Sequence, residues 1–320
     1  MGSKAKHAND ILKIVLAARK PGQYYVEPFV GGANVMSHVP TVEAEHGYAT
    51  GPRLGCDINR YMVALHTALA AGWQPPRDLK PQEYRLIKAR PDDFPPELVA
   101  FVATGVTFGS MWFGEYVKDG PGENRCRQSA DSCLRDAPGL TGAEFRHWEF
   151  NSDDMSAFLK AHKPALVYCD PPYVNTTSYA GAKKTIKVGD SLGANTWKAS
   201  KFWKWADALV DEGHSVFVSE YTGPSTDVYA SLPQSDAEKA TRAAAAAFQA
   251  STEYSAAGME EHFARIKSHE AERRAAAEAM CARWEVVWSK EVTADFSASR
   301  EAGVKTGKVE VEKLFHRKAA

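Results

Sequence analysis

Asp170-Pro171-Pro172-Tyr173 brings together a carboxylate, two consecutive prolines and an aromatic ring. The prolines fix φ and have no N–H to donate, so the turn is stiff and its carbonyls point outward. A carboxylate and a carbonyl held in this way can accept both hydrogens of an amino group, and a tyrosine ring offers a flat face to a planar base. Upstream, Glu27-Pro28-Phe29-Val30-Gly31-Gly32-Ala33-Asn34 joins an acid to small residues that let backbone approach a ligand. Leu54-Gly55-Cys56-Asp57-Ile58-Asn59 then supplies another acid. It follows roughly 20–30 residues on, the spacing of a carboxylate that holds a ribose hydroxyl.

Such groups must be held at strand ends. Ala165-Leu166-Val167-Tyr168-Cys169 is a continuous apolar run that reads as a short buried strand before Asp170, and Tyr24-Tyr25-Val26 reads as one before Glu27. Ligands of open α/β sheets bind at the carboxyl ends of strands, so three strand-end signals agree. Further strands are predicted over 54–56, 145–150, 215–219, 284–292 and 309–315, and helices over 11–18, 60–71 and 201–212. In the last of these, Phe202, Trp203, Trp205, Ala206 and Leu209 recur at helical spacing and are assigned to the core. The βα alternation predicts a largely parallel sheet.

Residues 75–140 break that rhythm with Pro/Gly-rich, aromatic-bearing sequence and read as an inserted recognition lobe between the two parts of a main domain, 1–74 and 141–320. Residues 231–283 are alanine-rich and densely charged, and read as one or two long helices inserted into that domain. Phe248, Met259, Phe263 and Ile266 lie at partly helical intervals but do not sustain heptads. This favours a solvated excursion over its alternative, a homodimerisation arm.

With 39 Lys and Arg against 40 Asp and Glu the net charge is −1, so any polyanion must be met by local clusters. Candidates are Lys118, Arg125, Arg127, Arg135, Arg146 and His147 between the motifs, and Lys183, Lys184, Lys187, Lys198 and Lys201 after the Asp-Pro-Pro-Tyr turn. The five cysteines are odd in number and scattered, which predicts reduced thiols. Cys126, Cys133 and His147 match no zinc spacing, so no metal site is expected. No stretch approaches the ~20 apolar residues of a membrane span. The N-terminus lacks the apolar core of a signal peptide, and a soluble cytoplasmic protein is expected.

The order of these motifs resembles the D12-class, or Dam-type, N6-adenine DNA methyltransferases of bacteria and bacteriophages. The matching pieces are Gly2-Ser3-Lys4, Glu27 to Gly32, Asp57-Ile58-Asn59, Phe108-Gly109-Ser110-Met111-Trp112-Phe113-Gly114, Asp170 to Tyr173, Val218-Ser219-Glu220-Tyr221 and Val311-Glu312-Lys313-Leu314-Phe315. Two features depart from the pattern. Ala33 stands where the family usually has a third glycine, and the family's aromatic residue just before the N-terminal lysine has no counterpart.

The resemblance implies an α/β class I S-adenosylmethionine-dependent methyltransferase fold with a Rossmann-like sheet, an inserted recognition lobe and an extra helical segment. The implied activity is site-specific methylation of adenine N6 in double-stranded DNA, by direct in-line transfer to a flipped-out base, in a bacterial or phage-infected cell. Asp170, Pro171, Pro172 and Tyr173 are then the catalytic turn. Lys4, Glu27, Pro28, Phe29, Gly31, Gly32, Asp57 and Asp170 would bind S-adenosylmethionine, with Asp57 on the ribose and Lys4 near the methionine carboxylate. Lys118, Arg125, Arg127, Lys183 and Lys184 would contact DNA. N4-cytosine DNA methylation, where the family tendency is Ser rather than Asp at the first motif position, adenine methylation of RNA, and a catalytically silent DNA-binding protein remain as alternatives.

Overall fold

The computed structural model describes residues 4–120, 122–172, 199–220, 236–251, 255–294 and 308–317. Its centre is a seven-stranded mixed sheet built from β1 (Tyr25–Glu27), β2 (Arg53–Asp57), β3 (Ala143–His147), β4 (Leu166–Cys169), β5 (Ser215–Glu220), β6 (Trp284–Ala294) and β7 (Lys308–Arg317), in the order β3-β2-β1-β4-β5-β7-β6. The first five strands are mutually parallel, while β7 runs antiparallel between β5 and β6. The order reverses between β1 and β4, which makes that gap the topological switch point of an open sheet.

Period-2 alternation along the strands separates two apolar cores. Tyr25, Leu166, Tyr168, Phe217 and Leu314 face one, which is covered by α1 (Ala8–Ala17), α2 (Val39–His46), α3 (Arg60–Ala70), α5 (Pro96–Gly105) and α6 (Arg125–Leu140). Val26, Val167, Cys169, Val216, Val218 and Phe315 face the other, under α7 (Asp153–Ala161) and α8 (Ala199–Asp211). Position 55 of β2 takes glycine because a Cβ there would come within 2.9 Å of the Phe145 ring and 3.0 Å of Val30. Among the described residues no helix is long and apolar enough to cross a membrane.

The predicted strand at 145–150 is shifted to Ala143–His147, because β3 pairs only with β2 and the ladder stops where Asp57 meets His147. Phe150 lies beyond the strand end and packs with Phe29 and Phe202. Residues 75–140 are more helical than their prolines suggest. Pro81 and Pro96 open α4 (Pro81–Ala89) and α5, where a missing N–H costs nothing. Val99, Ala100, Val102 and Ala103 of α5 are fully buried in the same core as residues of β1 and β4.

The alanine-rich segment forms α9 (Asp236–Gln249) and α10 (Ala256–Ala282), the latter capped by Ser255. Pairs 238–273, 241–269, 242–270 and 248–262 run in opposite senses along the chain, so the two helices are an antiparallel hairpin. Buried Glu238 accepts from Arg242 and Arg273, and Ala277 seats the base of the hairpin in the second core.

Candidate functional site

Glu27 ends β1, and Asp170 directly follows the last residue of β4. Glu27 lies two residues beyond Tyr25 and Asp170 two beyond Tyr168, which places both acids on the first core's face. They flank the switch point together with Phe29, Val30, Gly31, Gly32, Asn34, Val35 and Lys4, around a cavity of about 80 Å³.

The buried Tyr25 hydroxyl donates to Glu27 Oε1 at 2.7 Å. Burial first, and then the nearby Asp170 charge, push the Glu27 carboxyl up to about 8 against that hydrogen bond. Glu27 is therefore mainly protonated at neutral pH. The Asp170 carboxyl is pushed up to about 6 by burial and by Glu312, against the pull of Lys4. It remains largely ionised at neutral pH but close enough to it to take up a proton. Lys4 opens a short 3-10 turn and is itself buried; its ammonium lies 3.3 Å from Asp170 Oδ1 and hydrogen-bonds Glu312 Oε1. Burial disfavours this charge, but the two carboxylates more than offset that and keep the amine protonated.

Lys4 thus reaches the site as expected, yet its ammonium is held by two carboxylates of the chain itself. A buried cation needs compensating charge in the folded protein whether or not a ligand is bound, and Asp170 and Glu312 provide it.

The glycine turn is clamped from both sides. Gly31 N donates to Asp57 Oδ2 at 2.9 Å, Asp57 Oδ1 accepts from Asn59 N at 2.8 Å, and His66 Nε2 lies 2.7 Å from Gly31 O. Asp57 therefore positions the turn, and with Ile58 N a third backbone donor to its roughly four acceptor sites it keeps capacity for one ligand hydroxyl. Gly31 has φ +50°, and Ala33 follows at φ +55°. A positive φ of this kind favours glycine, so Ala33 holds its place at some cost in backbone strain. Phe29 contacts Phe150 and Phe202 and also lines the cavity, combining a core role with a site role. Pro28 and Pro171 are buried beside the two acids.

Tyr173, Lys183 and Lys184 lie outside the described residues. Arg125 lines a separate cavity of about 330 Å³, with Thr107, Phe108, Gly109, Val117 and Asp119 among its walls, and it shares no lining residue with the switch-point site. Lys118 sits between two of those lining residues, and Arg127 is exposed on the first turn of α6. Around this cavity Ser110 and Phe113 adopt positive φ of 53° and 46°, and Phe108 and Met111 are exposed. The Cys126 thiol donates to Pro76 O and the His147 ring bonds Ile58 O.

Tyr25, Tyr168, Glu312 and His66 were missed as site residues. The first two had a readable signal, since each is the aromatic residue two positions before a strand-end acid and must share its face.

No protein-family model matches this chain, and no curated protein matches it.

Proposed function

We propose that this protein transfers a methyl group from S-adenosylmethionine to N6 of adenine in double-stranded DNA. The observation that carries the reading is the Asp170-Pro171-Pro172 turn at the carboxyl end of β4, across the switch point from the glycine turn at Gly31 and Gly32. The finer assignment of the sheet to the class I methyltransferases belongs to the same proposal. It is supported by the strand order, which follows the doubly wound 3-2-1-4-5 pattern up to the reversed β7.

The residues around the cavity suit the cofactor. Gly31 and Gly32 leave backbone open to a ligand, Asp57 suits a ribose, and a cationic ligand would draw the neutral Glu27 carboxyl toward its charged form beside Asp170. Bound S-adenosylmethionine supplies an electrophilic methyl group on a positively charged sulfur. The chain's own contribution lies at the amine. Adenine N6 is a weak nucleophile because its lone pair is delocalised into the ring, and acceptors aimed at its hydrogens return electron density to nitrogen. The Asp170 carboxylate and the Pro171 carbonyl are those acceptors, and they stabilise positive charge developing on N6 in the manner of an inverted oxyanion hole. Asp170 is also able to receive the proton that N6 must lose. An adenine inside a duplex does not reach such a site, so the base is flipped out.

The test is methylation of mixed-sequence duplex DNA and of RNA in parallel, with nucleoside mass spectrometry of the products. N6-methyladenine in DNA is expected, and Asp170→Ala should lose well over tenfold in rate, more than ~1.4 kcal/mol of transition-state stabilisation. N4-methylcytosine, methyl groups in RNA alone, or cofactor binding without any turnover would replace the proposal with the corresponding alternative.

A further inference from the structure

We infer that Glu312, on the reversed strand β7, is a positioning residue of the switch-point site: it anchors the Lys4 ammonium, and through Lys4 orients the Asp170 carboxylate at the cavity. The inference rests on the proposed function for what Asp170 does, but the coupling between the three residues is a property of the folded protein alone.

The two strand-end aspartates of the site are held differently. Asp57 receives a hydrogen bond from the amide two residues on, Asn59 N. At the same offset from Asp170 stands Pro172, and between them Pro171, neither of which has an N–H to give. The rigidity that aims the Pro171 carbonyl thus takes away the two amide donors that directly follow Asp170. Lys4 supplies one from a distant part of the chain, 3.3 Å from Asp170 Oδ1. A lysine on a flexible four-carbon stem is a poor anchor unless its other side is held.

Glu312 holds it. The two residues are 308 positions apart in sequence and joined by a buried hydrogen bond. Glu312 is only 4% exposed, and two residues further along β7 Leu314 is fully buried in the first core, which fixes the strand and hence the carboxylate. Because β7 is antiparallel to β5, with Glu220 opposite Lys313, its early residues lie at the carboxyl end of the parallel strands, where the site is. A β7 parallel to its neighbour would have carried Glu312 to the far edge of the sheet.

Asp170 is faced by Lys4 from the N-terminal turn, by Glu27 from β1, by Tyr168 and Cys169 from its own strand and by Glu312 from β7. Replacing Glu312 by the isosteric, uncharged glutamine removes one like charge and leaves the Lys4 charge to Asp170 alone. Both effects favour the Asp170 carboxylate.

The experiment is carboxyl-¹³C NMR titration of Asp170, assigned with Asp170→Asn, in the wild-type protein, Glu312→Gln and Glu312→Asp. The Asp170 titration should move to lower pH in Glu312→Gln, with Glu312→Asp falling between that variant and wild type. If Glu312→Gln does not fold, the Glu312→Asp shift alone carries the test. Where methyl transfer is measurable, the acid limb of its pH profile should move the same way. Turnover should fall by about tenfold or more as the acceptor loses its alignment, and cofactor affinity should change far less. An Asp170 titration unchanged from wild type in Glu312→Gln, or a titration that moves while turnover stays at the wild-type rate, would overturn the inference. Absence of methyl transfer in the wild-type protein would count against the proposed function only, since the NMR shift is read without turnover.

Discussion

Glu27 and His66 are both buried beside the cavity, and burial drives each to its neutral form. Glu27, raised from its usual 4.5 to about 8, is mostly protonated at neutral pH. A cationic ligand arriving beside it would pull that value down, so binding at pH 7 should release up to about one proton. Titration calorimetry with S-adenosylmethionine in two buffers of different ionisation enthalpy reads this directly. Equal heats in both would mean that Glu27 does not face the ligand's charge. His66 is lowered from 6.5 to about 4, because its ring is buried and only partly offset by the bond to Gly31 O, while its Nδ1 is buried with no hydrogen-bond partner to receive a second proton. The unfolded chain therefore binds the proton more readily between these values. The stability tied to neutral His66 is fully present above about pH 6.5 and is lost as pH falls toward 4, by roughly 3 kcal/mol in all. Urea unfolding from pH 7 to 4 should show that extra loss in the wild-type protein relative to His66→Gln. Parallel pH dependences would contradict the shift.

Among the elements, the α9–α10 hairpin has the least to do with the cavity, whose lining residues all come from other parts of the chain. Among the described residues it meets the second core at its base, through Ala277 with Met280 and Cys281, the buried Glu238–Arg273 pair joins its two helices, and Phe263 further out is 54% exposed. Replacing residues 240–271 by a short Gly/Ser linker keeps the Ala277 attachment and the Glu238–Arg273 pair, and should leave S-adenosylmethionine affinity unchanged within about threefold, as expected for a distant, independent site. Loss of binding in a folded variant would give the hairpin a part in the site, and a change from dimer to monomer on light scattering would identify it as the dimerisation arm. The strands carry the opposite lesson. Their short apolar runs were legible, because buried parallel strands read as continuous hydrophobic stretches. The helices of residues 75–140 were not, because a proline that opens a helix and one that breaks a loop look alike until the N–H partners are known.

At the scale of the molecule, β7 closes the structure. Its last residue, Arg317, is 1% exposed and bonds Asp207 of α8 at 2.5 Å; Asp207 also accepts from Trp284 Nε1 of β6 at 3.0 Å. One buried carboxylate therefore joins two strands and a helix. Asp207→Ala removes the buried carboxylate and leaves Arg317 only its bonds to Asp211 and to the backbone carbonyl of residue 207, and should cost roughly 1.5–3 kcal/mol in urea unfolding, above the cost of a surface pair. A loss below about 1 kcal/mol would show that Arg317 finds other partners.

Local chemistry was written in the sequence alone: the stiff acceptor turn at Asp170, the glycine turn after Glu27, the acid at Asp57, and the βα alternation that puts each at a strand end. Those features depend on neighbours a few residues apart, and propensity and periodicity report on such distances. Strand order, the reversal of β7 and the burial of Lys4 between Asp170 and Glu312 were decided only by the tertiary structure. A lysine near one end of the chain and a glutamate 308 residues away carry no local mark of their pairing. What brings them together is the requirement that a charge removed from water meet its opposite, and that requirement takes effect only once the whole sheet has formed.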